Sequence, residues 1–96
     1  MELTIIARFQ AQVGKEAAVE AAIREVIPYT RAEATCLFVN GHRSNRDPRL
    51  FHILSRWTDE AAFEVHATLP HTVKFIDTVE KLIDHPLDIT RATVIA

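Results

Sequence analysis

A single cysteine, Cys36, excludes an internal disulfide and any cysteine-based zinc site. The two glycines, Gly14 and Gly41, stand alone, so no GxGxxG fingerprint and no phosphate-cradling loop exists for a flavin or a nicotinamide. GxSxG and HExxH are missing too, which removes the nucleophile elbow and the zincin helix. With two Gly and four Pro, low-complexity disorder is excluded. No stretch approaches the ~18 consecutive apolar residues of a membrane span. The segment Met1–Phe9 has neither the basic start nor the apolar length of a secretory leader, so a cytoplasmic protein is expected. Nor is there charge of one sign: the formal net charge is -2, which gives no basic field for nucleic acid or an anionic membrane.

What remains is an ordinary globular mixture, 48% hydrophobic and 25% charged, in 96 residues that make one domain spanning 1–96. A chain of this size buries only roughly 65% of its unfolded surface, so a second copy is a natural source of further burial. Leu3 to Phe9 alternates as a strand, with Leu3, Ile5, Ala7 and Phe9 on one face. Val19, Ala22, Ile23, Val26 and Ile27 then follow the spacing of one buried helical face, with Glu20 and Arg24 paired outside and Pro28 set to kink or end the helix. Cys36 to Arg43 predicts a second strand, with Cys36, Phe38, Asn40 and His42 on one face. Phe51 to Trp57 predicts a third, with Phe51, Ile53, Ser55 and Trp57 inward, and the polar turn at Ser44–Arg49 makes the two a hairpin. Thr58 and the acids after it start a short helix that Leu69-Pro70 interrupts; Pro70 opens another running to about Asp84, with Val73, Ile76, Val79 and Ile83 as its core stripe. Asp88 to Ile95 is the fourth strand. The order β-α-β-β-α-β predicts an α+β, ferredoxin-like fold with an antiparallel sheet. Its uncovered face would expose Ile6, Leu37, Val39, Leu54 and Val94, and this predicts a homodimer through sheet faces.

Five histidines are the informative excess, because proton transfer near neutral pH most often uses imidazole. His66 shares the inward face of the short helix with Ala62 and Phe63, as a core histidine bonded to backbone or as a base. His71 lies one turn before Phe75, across the Leu69-Pro70 break, where two helix ends leave room for a cavity. Trp57 is either a core anchor or the flat wall of a pocket. Asn40 and His42, on the face of Phe38, would form a polar floor; with Ser55 and Phe63 they complete the candidate substrate-binding set. Glu33 is paired locally with Arg31, His52 and Arg56 are assigned to dimer contacts, and His85 to a helix end. His66 and His71 are five apart with Pro70 between them, so they share no helical face; neither a metal nor a bound cofactor is expected.

Three segments carry a resemblance: Arg31-Ala-Glu33-Ala-Thr-Cys36, Arg43-Ser-Asn-Arg-Asp-Pro48, and above all Trp57-Thr-Asp-Glu-Ala-Ala-Phe63-Glu-Val-His66-Ala-Thr-Leu-Pro70-His71. Together the chain resembles the antibiotic biosynthesis monooxygenase family. The resemblance implies a dimeric α+β barrel, a pocket between each sheet and its helices, and oxidation of electron-rich phenols, anthrones or quinols by O₂ without metal or flavin. Ser55 stands where the family commonly has an acid, and Glu33-Ala-Thr-Cys36 where it has Glu-Pro-Gly-Cys. Haem-degrading relatives carry a Trp at the place of His66 and a later His, where this chain has Ile76, so no haem ligand is expected. The leading expectation is a cofactor-independent monooxygenase with His66 and His71 catalytic. The alternatives are an isomerase of a small hydroxy-ketone phosphate, whose cations would be Arg43, Arg56 and Arg91, and a non-catalytic small-ligand or stress-response binding protein.

Overall fold

A computed structural model describes all 96 residues. The elements are β1 (Leu3–Gln10), α1 (Glu16–Arg31), β2 (Cys36–Arg43), β3 (Leu50–Trp57), α2 (Glu60–His66), α3 (Pro70–Val79) and β4 (Asp88–Ala92). The four strands form one antiparallel sheet in the order β2-β3-β1-β4. This is the expected α+β, ferredoxin-like arrangement, with the helices packed on one face of the sheet.

The inward faces of β1 and β3 follow their alternation: Leu3, Ile5, Ala7 and Phe9 are buried, as are Phe51, Ser55 and Trp57. In β2 the expected faces are reversed. A bulge between Cys36 and Phe38 shifts the register, so that Val39 lies opposite Ser55 and Gly41 opposite Ile53. Because side chains alternate with period two, one extra residue turns the rest of the strand over. Val39 therefore joins the core at 3% exposure, while Phe38 is left on the open face. Gly41 sits beneath α1: a Cβ there would come within 2.6 Å of the Ile23 side chain, so its lack of a side chain lets helix and strand approach. Gly14 has φ +84, the left-handed conformation that turns the chain from β1 into α1.

Other boundaries move for local reasons. Helix α1 continues through Pro28 to Arg31, since a proline near the last turn removes a single N–H. Asp59, not Thr58, caps α2 by accepting from the Ala62 N–H at 2.8 Å. Helix α3 stops at Val79, well before Asp84; its buried stripe is Thr72, Phe75 and Val79, and Val73 is exposed. Ile83 lies beyond it and bridges Ala11. His85 does not cap a helix end; its Nε2 accepts the Gln10 N–H of β1 at 2.8 Å. Strand β4 ends at Ala92, so Val94 lies outside the sheet.

The main core joins Ala7, Phe9, Val39 and Phe51 of the sheet to Val19, Ile23, Val26 and Ile27 of α1 and Phe75 and Val79 of α3. A smaller cluster of Leu3, Ile5, Trp57 and Phe63 lies at the α2 end. The opposite sheet face carries Ile6, Phe38 and half-buried Leu54 without cover.

Candidate active site

The site forms where the chain changes direction three times. After α1, Ala32–Thr35 turns back into β2, with the Glu33 N–H bonded to Thr30 and the Cys36 N–H bonded to the Glu33 carbonyl. The Thr58 N–H donates to the Thr35 carbonyl, which ties this turn to the end of β3 beside Trp57. Between α2 and α3, Leu69 takes the extended conformation that a following proline imposes, and Pro70 starts α3 where no N–H partner is needed. The break swings His71 back toward His66.

Both imidazoles meet one carboxylate. Glu33 Oε2 lies 2.7 Å from His66 Nδ1 and 2.8 Å from His71 Nε2. An ionised carboxylate only accepts, so each of these nitrogens carries the proton it shares with Glu33. The three side chains are nearly enclosed, with 12–20% of their surface exposed. Tyr29 stacks on His71 at 5.7 Å from the outer side. On the inner side Trp57 lies 4.4 Å from the His66 ring, and Phe63 packs edge-on against Trp57 at 5.8 Å. Trp57 is held in turn by Ser55, whose buried hydroxyl accepts the indole N–H at 3.0 Å.

With Nδ1 tied to Glu33, Nε2 is the ring's lone-pair nitrogen, and it makes no hydrogen bond to protein. Burial pushes the His66 imidazole below the ordinary 6.5, outweighing the Glu33 hydrogen bond that favours the cation. His66 is therefore neutral at pH 7 and able to accept a proton. Its ring forms part of the wall of a cavity of about 430 Å³ between sheet and helices. Trp57, Phe63 and Ser55 share that wall, whose remainder is mostly apolar. The volume is within the range of small-molecule pockets.

His66, Trp57, Ser55 and Phe63 are thus gathered at one cavity, and His71 reaches it only through Glu33. Asn40 and His42 are not there. The β2 bulge turns them to the other side of the sheet: Asn40 accepts from Arg31 at 2.9 Å, and exposed His42 lies opposite His52. The expected local pair of Arg31 with Glu33 is also replaced, since Arg31 spends its donors on Val39 and Asn40. Glu33 is the residue that sequence reasoning missed; the signal available was an acid in the segment that carries the family resemblance. Helical spacing spoke against a metal, but the fold brings the two rings together across the break, onto one carboxylate oxygen. Of the strand arginines, Arg43 and Arg56 bond to Glu20 and Glu2 away from the cavity. Arg91 borders the cavity, lying 5.2 Å over the Phe63 ring, but it is engaged by Glu60 and Glu64.

No helix is long and apolar enough to cross a membrane. No functionally curated protein is similar enough to count as a match. Among solved structures, PA3566 from Pseudomonas aeruginosa is 33% identical, with 99% of this chain and 95% of that one covered at a TM-score of 0.91. Rv0793 from Mycobacterium tuberculosis is 23% identical over 100% and 97% of the two chains, with a TM-score of 0.94. A third, called an antibiotic biosynthesis monooxygenase, is 21% identical over 98% and 99%, with a TM-score of 0.91. The profile of one family matches residues 3–78, from the start of β1 almost to the end of α3, and so takes in Glu33, Trp57, His66 and His71. The chain belongs to the antibiotic biosynthesis monooxygenase family.

Proposed function

We propose that the protein is a monooxygenase that oxidises a small electron-rich aromatic, of the quinol or anthrone type, with O₂. The observation that carries this reading is the pairing of a neutral, Glu33-anchored His66 with an aromatic-walled cavity of about 430 Å³. His66 Nε2 takes the acidic proton of the substrate, and Glu33 steadies the imidazolium that forms, as a carboxylate does behind any histidine base. The resulting anion passes electrons to O₂. For an anthrone, one oxygen atom ends in the new carbonyl and the other leaves as water with the two hydrogens of the oxidised carbon. The step as written uses no bound cofactor. The apolar wall excludes water, and Trp57 and Phe63 orient the ring. His71 supports Glu33 from the far side.

The partner we propose besides substrate and O₂ is a second copy of the chain, packed sheet to sheet. Exposed Ile6 and Phe38, with half-buried Leu54, support that face. Sedimentation at micromolar concentration is expected to give twice 10.9 kDa, and Phe38→Asp to give the monomer. An isomerase of a hydroxy-ketone phosphate would need converging free cations, and the one arginine beside the cavity is already paired with two carboxylates.

Oxygen uptake with a panel of quinols and anthrones tests the reaction. Uptake with the wild type that His66→Ala abolishes is expected; a panel without uptake, or uptake that survives His66→Ala, overturns the assignment.

A further inference from the structure

Glu33, His66 and His71 do more than form a hydrogen-bonded triad. One ring nitrogen of His66, one of His71 and a Glu33 oxygen all lie within 4.8 Å of one another, and they come from three separate segments of the chain. The two short contacts, 2.7 and 2.8 Å, place both nitrogens on a single carboxylate oxygen. Two imidazoles and one carboxylate make a donor set that borderline divalent ions prefer, and in catalytic zinc sites three such ligands leave a position open. In a tetrahedral site with bonds of ~2.0–2.1 Å, neighbouring ligand atoms stand about 3.3 Å apart. Opening each contact by about half an ångström would therefore admit an ion. No lysine or arginine makes an ion pair with Glu33, so no fixed cation competes for the place.

We propose that Glu33, His66 and His71 bind a divalent first-row transition ion of the zinc type, with an open coordination position. The cluster's geometry carries this site independently of the monooxygenase reading. Neutral imidazoles need lose no net proton on binding. The ion takes Nδ1 of His66 and Nε2 of His71, and each displaced proton moves to the other ring nitrogen. On His66 that nitrogen is Nε2, which changes from an acceptor to a donor. The ion and the base of the metal-free reaction thus exclude each other, and occupancy would silence proton abstraction.

Titration of the purified, metal-stripped protein with Zn²⁺ in a calorimeter, and with Co²⁺ followed by visible absorption, tests the site. One ion per chain is expected, together with the intense visible band of low-coordinate Co²⁺. Glu33→Gln is the informative variant. Its amide oxygen can still accept from both rings and so preserve the fold, yet it is a poor ligand. Affinity should fall by more than the roughly 10–100-fold that loss of an outer-shell partner costs, and His71→Asn should do the same. His42 and His52 face each other across β2 and β3 and are the competing surface pair, so the double variant His42→Ala/His52→Ala should bind as the wild type does. Zn²⁺ should also raise the thermal midpoint of the wild type and leave that of Glu33→Gln unmoved. Absence of saturable binding, or binding that survives Glu33→Gln and disappears with His42 and His52, would overturn the proposal.

Discussion

The two ends of the helix–sheet layer are built for different work. Around Ala11, Val19, Val79 and Ile83 the core is apolar and closed: the first three have no exposed surface and Ile83 has almost none. Under α2 the core shrinks to Leu3, Ile5, Trp57 and Phe63, and a carboxylate and two imidazoles occupy what would otherwise be interior. The cause lies in the helices. Helix α1 runs over 16 residues as one piece, whereas the Leu69-Pro70 break divides the second crossover into helices of 7 and 10 residues. The first half of α1 seals against the sheet; the break leaves a gap that Val26, Ile27 and Thr30 of α1 border on one side and Phe63, His66, Thr72 and Phe75 of the broken crossover on the other. Close packing at one end supplies stability, and incomplete packing at the other makes room for a ligand.

The contrast breaks most sharply if both ends respond alike to truncation. Phe9→Ala removes a buried ring packed edge-on against Phe75, where the closed core meets the cavity, and is expected to cost about 3–5 kcal/mol, a large share of the roughly 5–15 kcal/mol that holds a domain together. Thermal or urea unfolding reads this directly. At the open end, His66→Ala should lower oxidation of a competent substrate by roughly 10²–10⁴-fold while moving the midpoint far less than Phe9→Ala does. Should the two variants lose equal stability, His66 is a packing residue and the open end is merely core.

Acid sharpens the comparison further. Burial holds the His66 pKa below 6.5 in the folded protein, so just below that pH the unfolded chain binds the extra proton and the folded one does not. The stabilising contribution of neutral His66 is complete above pH 6.5 and is lost as pH falls through the folded pKa. Melting temperatures measured from pH 7.5 downward should decline in that window, and in His66→Gln this part of the decline should vanish. A profile identical in the two proteins would mean that His66 is not held neutral. The most local effect belongs to Ser55→Ala. Removing the hydroxyl strands the buried Trp57 N–H, at a cost of about 1–3 kcal/mol. Because Trp57 faces the cavity, substrate KM should rise with it; a variant that loses stability with KM unchanged would make Ser55 a purely structural partner.

The sequence alone determined the order of elements and most of what each buries. Strands β1 and β3 alternate cleanly, so Ile5, Phe9, Phe51 and Trp57 could be placed inside from period alone, and Pro70 marked the break that opens the site. Ser55, Trp57, Phe63 and His66 were legible for the same reason: each sits at a fixed phase of a local repeat. Tertiary structure decided the rest. The bulge after Cys36 reverses β2 because pairing with β3 and the fit of Gly41 under Ile23 settle the register; neither is written in the alternation of β2 itself. Asn40 and His42 left the candidate site on that account. Glu33 entered it because the turn after α1 is tied to the end of β3, which brings the carboxylate to histidines 33 and 38 residues further along the chain. Periodicity reports the neighbours of a residue within a turn or a strand. A hydrogen bond spanning a third of the chain depends on how whole elements pack, and no local pattern encodes that.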